Sequence, residues 1–376
     1  MQKLKINIFG DICPTSDTLI KFRSGNAKDL FNDLLNYISP SDITIANLEC
    51  VFTDNPKPVK KAGPVLYAST DCANAFQSIG MDVISIANNH IRDCGDEGVQ
   101  STIKACTSRG LKTVGAGRNL DEARKPLIID KNGVKIGIFS FAEREFNIAE
   151  CGKWGTNYFD PCVDLECITE LRKQTDYVIV LYHGGIEYYP FPSPELRKKC
   201  QAMVRYGADL VTCQHSHCVG SIENYNGRTI VYGQGNSIFG YRCGDENWNT
   251  GLLLQVEIFA DKTFSFSWIG MEMTNYGLRK KVSPTLNKEL EERSLRLCDQ
   301  KYLDVEWLKF CKKLEKIELP LLLGWPKVMI GLNRRIGNIL LKCFFTKHLA
   351  NITHNMLRCD AHREVIDTLL KLKDYK

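Results

Sequence analysis

Short apolar runs that end in polar residues recur through the first 280 positions: "KINIFGD", "DITIANLE", "DVISIANN", "DYVIVLYHG" and "DLVTCQHS". Their Val/Ile content and length predict strands buried on both faces. Stretches with apolar residues at helical spacing fall between the earlier runs: "NAKDLFNDLLNYI", "CANAFQSIG", "GVQSTIKACTSRG" and "PELRKKCQAMVRYGA". Each is about long enough for a crossover between parallel strands, and two end at a glycine suited to a helix C-terminus. Further strand-like runs follow, among them "LKTVGAG", "VKIGIFSFA", "LLLQVEIFA" and "FSFSWIG". In "IIDKNGVKIGIF" and "IENYNGRTIVYG" an Asn-Gly pair separates two such runs, which predicts hairpins. The pattern is α/β, with antiparallel hairpins toward the C-terminal half.

The texture changes near residue 280. "LNKELEERSLRLCDQKYLDVEWLKFCKKLEKIEL" is helical by period and charge, and the more apolar "LPLLLGWPKVMIGLNRRIGNILLKCFFTKHL" is interrupted by Pro320, Pro326, Arg334 and Arg335. We read 1–278 as one domain and 279–376 as a basic, mostly helical extension.

Charge sharpens that division. The net charge is +5, but residues 279–376 hold 21 Lys/Arg against 12 Asp/Glu, a net of +9. The preceding 278 residues hold 28 against 32, a net of −4. A basic extension on a near-neutral body is either a solvated helical surface or a contact for an anionic lipid or polymer. No apolar stretch has the length of a membrane-spanning helix, and the N-terminal run, broken at Gly10 and Asp11, reads as a strand and not as a signal peptide. The 16 cysteines include no C-x-x-C pair, and several sit in apolar strands or helices. They are expected to be reduced, mostly buried thiols in a cytoplasmic protein.

Ligands of open α/β sheets gather beyond the carboxyl ends of the strands. Those ends carry Asp11; Asn47 and Glu49; Asn89 and His90; His183; and His215 with His217. Mixed carboxylate, amide and imidazole donors suit Mn, Fe or Zn, and the absence of a thiolate pair argues against a structural zinc site. In an extended strand His215 and His217 point to the same side, so "HSH" directs two imidazoles into one cleft. Six such donors suit one divalent metal or a pair sharing a bridging oxygen. His348, His354 and His362 lie in the extension and are expected at the surface.

The ordered motifs "GD", "ANLE", "ANNHIRDCG", "HGGIEYYPFP", "GADLVTCQHSHCVG" and "YGQGNSIFG" resemble the CapA family of capsule and poly-gamma-glutamate synthesis proteins, similar in turn to calcineurin-like metallophosphoesterases. The resemblance covers roughly residues 4–270. It implies a metallophosphoesterase-like sandwich of two mixed β-sheets flanked by helices, with the C-terminal helical extension outside it. It also implies Asp11 and His217 on one metal, Asn89, His183 and His215 on a second, and Glu49 where the bridging aspartate stands. His90 would then face the substrate as a proton donor. Asp93, three residues on, either orients the ring and raises its pKa or is merely a turn residue. Asn47, Glu187, Gly235 and Asn236 are expected to line the substrate cleft. Two departures stand out: Cys13 occupies the place of an expected histidine, and Glu49 lengthens the bridge.

The leading reading is a metal-dependent hydrolase of phosphoesters in cell-envelope polymer synthesis. The alternatives are a non-catalytic accessory protein holding an anionic polymer, and an amide hydrolase or transferase on gamma-glutamyl bonds. The expected partners are an anionic polymer or phosphoester substrate and other capsule-synthesis proteins. Residues 319–345 set an apolar face beside Lys327, Arg334, Arg335 and Lys342. That face either packs onto the body or lies on a membrane surface. No nucleic-acid module is recognisable, and no G-x-G-x-x-G follows the first strand.

Overall fold

Runs rich in Ile and Val extend because their branched side chains pack well on a pleated surface. In chain order they form β1 (Gln2–Ile12), β2 (Ile43–Leu48), β3 (Val83–Ser85), β4 (Lys112–Val114), β5 (Leu127–Lys131), β6 (Val134–Ala142) and β7 (Tyr177–His183). They continue with β8 (Leu210–Gln214), β9 (Ile222–Tyr225), β10 (Arg228–Val231), β11 (Asn236–Ile238), β12 (Thr250–Phe259), β13 (Phe264–Thr274) and β14 (Gly277–Lys280). The computed structural model describes all residues except 1, 16, 39–40, 62, 360–361, 363–364, 367 and 371–376.

These strands build two sheets. The eight-stranded one runs β14-β13-β12-β1-β2-β3-β4, with β11 also paired to β1. Its β1–β4 half is parallel and its β12–β14 half antiparallel. The six-stranded sheet runs β9-β10-β8-β7-β6-β5, parallel through its centre. Its two edges are the Asn-Gly hairpins, where Asn132, Gly133, Asn226 and Gly227 all take positive φ. Such paired left-handed residues match the twist of a two-residue hairpin.

One core lies between the sheets, where Ile6, Ile8, Ile45 and Leu254 of the first meet Ile138, Ile179, Leu181 and Leu210 of the second. A second core covers the outer face of the first sheet and includes Phe9, Phe22, Phe31, Phe76, Ile84 and Val99. The expected two-sheet α/β sandwich is therefore the observed one. Two units are compact in themselves, Met1–Gln300 and Lys301–Lys376. The first includes the helix Pro284–Arg296, whose Leu286 and Leu290 join the core between the sheets. The second contains most of Gln300–Leu322, then Lys327–Arg335, Ile339–Phe344 and Lys347–Arg358.

At the carboxyl ends of the parallel strands the apolar alternation stops. Register places Asp11 of β1 between Asn47 of β2 and Asn236 of β11. Ser85 Oγ and Ser140 Oγ, 2.7 Å apart, link β3 to β6 across the layers. Gly235 leads into β11 with φ +71°, and a Cβ there would stand 2.5 Å from the Thr250 carbonyl oxygen. Gly235→Ala is therefore expected to destabilise the fold by about 2 kcal/mol or more through backbone strain and steric overlap. Chemical denaturation measures it.

Candidate metal centre

The donors stand at or just beyond the carboxyl ends of several buried strands, His215 and His217 both after β8, so the sandwich sets their separations. Asp11 is fully buried. Its Oδ1 accepts from Asn47 Nδ2 at 2.7 Å and its Oδ2 from the His215 backbone N–H at 3.0 Å. His183 is the last residue of β7. Its Nδ1 lies 3.2 Å from Asn47 Nδ2 and 3.7 Å from Asp11 Oδ1, and its Nε2 lies 3.1 Å from Asn89 Oδ1.

Glu49, one residue beyond β2, is different. It is fully buried, yet neither carboxylate oxygen has a hydrogen-bond partner. Burial pushes its pKa well above the usual carboxylate range, and the nearby Asp11 charge adds to this while His217 opposes it. Three imidazoles face Glu49 Oε1: His183 Nε2 at 3.5 Å, His217 Nε2 at 3.9 Å and His90 Nε2 at 3.9 Å.

The "HSH" segment does not continue its strand as expected. β8 ends at Gln214, and His215 and His217 both adopt left-handed backbone, at φ +85° and +50°. The turn lets the His215 N–H reach Asp11, a bond that an extended strand would direct to its neighbour instead. The rings still converge, with centroids 5.9 Å apart and His215 5.0 Å from His183. His215 Nδ1 is buried without a partner. Burial and then the neighbouring imidazoles hold the His215 pKa well below its ordinary value, so this ring is neutral, the form that binds metals.

His217 is oriented by a relay. Asn236 Nδ2 donates to the Trp248 carbonyl at 2.9 Å, which turns Asn236 Oδ1 toward His217 Nδ1, also at 2.9 Å. An acceptor there fixes the proton on Nδ1 and leaves the Nε2 lone pair facing Glu49. The potential donor atoms fall into two groups, each within 4.8 Å: Asp11, Glu49 and His183, and Glu49, His215 and His217. Glu49 belongs to both. A buried, unpartnered carboxylate shared by two sets of imidazole and carboxylate donors fits one or two divalent cations.

The adjacent asparagines divide their work. Asn88 is buried; its Nδ2 donates to the Leu48 carbonyl at 2.7 Å and its Oδ1 accepts from the His90 N–H at 3.1 Å, fixing the loop. Asn89 is the one that reaches His183. His90 Nδ1 lies 2.6 Å from Asp93 Oδ2, so the orienting contact exists. The expected rise in its pKa does not follow: burial outweighs Asp93, and the net shift is downward.

Sequence reasoning missed Lys61. Its Nζ, almost fully buried, stands 2.5 Å from Asp93 Oδ1 and 3.2 Å from His90 Nδ1. Asp93 also accepts from the Leu66 N–H at 2.7 Å. In "KPVKKAG" this lysine looks like part of a solvated charge run. Glu187 stands exposed at the lip, near enough for its charge to act on Glu49. Cys13 is buried in the core outside the first sheet and joins neither donor group.

Residues 5–241 match the family model described as bacterial capsule synthesis protein PGA_cap. The chain is 28% identical over 306 residues to the capsule biosynthesis protein CapA of Bacillus anthracis, covering 78% of this chain and 73% of that protein. It is 30% identical over 226 residues to the PGA biosynthesis protein CapA of Bacillus subtilis (strain 168), covering 58% of each. A crystal structure of a hypothetical protein from Thermus thermophilus aligns with TM-score 0.45 and 14% identity, over 72% of this chain and 99% of that one. Among the described residues no helix is long and apolar enough to cross a membrane. With the match covering the whole six-stranded sheet, the parallel half of the eight-stranded one and every donor, the chain belongs to the PGA_cap family of bacterial capsule synthesis proteins.

Proposed function

We propose that this protein is a metal-dependent hydrolase of the metallophosphoesterase type, acting on an anionic, phosphoester-bearing substrate in capsule or poly-gamma-glutamate synthesis. The observation that carries the reading is Glu49, a carboxylate buried without a hydrogen-bond partner at the corner common to two donor groups. A carboxyl group buried without a partner either takes up a proton, as its raised pKa indicates, or stays charged at a cost of several kcal/mol, and a cation is the partner that the surrounding donors suit. Asp11, Glu49, His183, His215 and His217 would hold one or two Mn, Fe or Zn ions, with Asn89 beside His183. Such ions, when bound, lower the pKa of water and neutralise charge developing on a phosphoryl group.

The remaining steps belong to the protein. Asn236 presents His217 in one tautomer, and Asn47 and the His215 N–H hold Asp11 in place. His90 keeps Nε2 toward the Glu49 corner while Asp93 and Lys61 occupy its Nδ1 side. From that fixed position Nε2 serves a leaving oxygen as proton donor in the charged form of the ring, which Asp93 favours and burial and Lys61 oppose. The names of the relatives support the polymer context: two are called capsule or PGA biosynthesis proteins, and a Mycobacterium tuberculosis relative is called a probable polyglutamine synthesis accessory protein.

The second unit extends the reading to a surface. Residues 319–359 contain six Lys/Arg and no Asp or Glu, while Val328, Ile339 and Phe344 are 84%, 55% and 61% exposed. Exposed apolar side chains in a segment with cations and no acid of its own fit the face of an anionic membrane, with apolar groups entering the headgroup boundary.

Three outcomes test these statements. Glu49→Gln is expected to raise the thermal midpoint of chelator-treated protein, by replacing a buried ionisable carboxyl beside Asp11 with a neutral amide, and to abolish the rise that divalent metal gives wild type; a scan with and without metal checks both. His90→Asn is expected to keep metal content, measured by elemental analysis, while lowering phosphoester hydrolysis by about 10²–10⁴-fold. Metal loss in that variant would make His90 a ligand, and a wild type inert toward phosphoesters would leave a binding role. For the second unit, co-sedimentation is expected with anionic but not neutral vesicles, to weaken as salt rises, and to fall in the Arg334→Glu, Arg335→Glu variant.

A further inference from the structure

The lip of the cleft carries a cluster that the proposed chemistry does not use. Trp248 is buried, its ring 4.8 Å from that of His217 and 5.2 Å from Phe239. Its Nε1–H donates to the Gly240 carbonyl at 3.0 Å, so the ring cannot turn. The Arg242 guanidinium lies over the outer face of that ring, and Arg242 Nη1 donates to Tyr188 Oη at 3.0 Å. Tyr188 is itself fixed: it adopts left-handed backbone at φ +60°, and its N–H donates to the Ser216 carbonyl, between the two histidines, at 2.7 Å. Left-handed backbone in a bulky residue is costly and is found chiefly where function holds it.

The Arg242 backbone is locked as well. Its N–H donates to Asn249 Oδ1 at 3.0 Å, and its carbonyl accepts from Asn249 Nδ2 at 2.6 Å. An exposed arginine ordinarily samples many rotamers, and holding it costs side-chain entropy. Here a π face, a phenol and a clamped backbone all hold it. Among the described residues no carboxylate pairs with it. The nearest acids in sequence are engaged elsewhere: Asp245 Oδ1 accepts from the Trp248 N–H at 3.0 Å and Glu246 pairs with Lys281 at 2.7 Å. A guanidinium has five N–H donors in a planar fork, and one is taken by Tyr188.

We propose that Arg242, braced by Trp248 and Tyr188, is an anion subsite at the mouth of the metal centre, binding a carboxylate or phosphate of the substrate chain next to the group undergoing reaction. The fork matches the two oxygens of either anion, which a lysine ammonium cannot do. The Trp248–His217 contact sets the subsite beside the donors, so one chain can occupy both. The inference rests on the proposed function for the identity of the neighbouring centre, but not for the binding itself.

The test is equilibrium binding to the full-length, metal-replete protein with two probes, a gamma-linked glutamate pentamer and a short linear polyphosphate. Wild type is expected to bind at least one, and the preferred probe names the anion. Arg242→Gln should weaken that binding by about tenfold or more, and Arg242→Lys should recover only part of it. Metal content and thermal midpoint should match wild type in both variants. Unchanged affinity in Arg242→Gln, or a wild type that binds neither probe, overturns the subsite. Loss of metal in Arg242→Gln overturns it too, since the cluster would then merely support His217. A wild type that binds a probe through Arg242 yet hydrolyses nothing keeps the subsite and removes the hydrolase reading.

Discussion

A carboxylate with no hydrogen-bond partner, fully enclosed by protein, governs the rest of this molecule. The nearest polar neighbours of Glu49 are imidazoles and another carboxyl group, Asp11. Unfolding would hydrate Glu49 at once, so the cores on either side of the first sheet must outweigh its cost. They can do so because the site is built where two apolar layers end. β1, β2, β7 and β8 are buried along their central lengths, and their acidic and imidazole groups stand at or just beyond their carboxyl ends. Moving a donor by one residue would invert its side chain into a core. The sandwich thus works as a jig, and the positions of Asp11, Glu49 and His183 follow from strand register more than from contacts of their own.

The loops add what register cannot. Strand ends deliver Asp11 and His183 directly, whereas His215 and His217 need two left-handed residues within three positions. That backbone is strained for non-glycine residues. It is held by the His215 N–H bond to Asp11, by the Tyr188 N–H bond to the Ser216 carbonyl and by the Asn236 relay behind His217. The strain is tied to the site itself, since each restraint ends on a donor residue or on its immediate neighbour.

Much of this could be read in the sequence. Strands stopping at ligand-type residues, the Asn-Gly hairpins and the exposed His348 and His354 all follow from local pattern. What escaped depends on residues far apart in the chain. Lys61 belongs by composition to a charge run and is buried only because Asp93 and His90, some thirty positions away, receive it. The pair Asn88 and Asn89 is one motif in sequence but two roles in space, set by whether the side chain meets the Leu48 carbonyl or His183. Trp248 and Arg242 carry no motif, and their link to His217 exists only through stacking. His90 shows a subtler limit: sequence placed Asp93 beside it, but the sign of its pKa shift depended on burial, which sequence does not state.

The two donor groups differ in what a cation would have to displace. In one, Asp11 already accepts two hydrogen bonds, and both nitrogens of His183 stand within hydrogen-bond distance of asparagine side chains. Filling it means breaking or re-forming those contacts, and Cys13, at the position where the sequence resemblance leads one to expect a histidine, faces the core instead. In the other, Glu49 and His215 Nδ1 are unpartnered, and His217 Nε2 is already aimed inward with its proton fixed on the opposite nitrogen. Nothing there need be given up; Glu49 is common to both groups, so the difference lies in the other donors. The physical asymmetry favours the Glu49–His215–His217 corner as the tighter of the two. That corner also lies beside Trp248, so the better prepared donors are the ones nearest the lip.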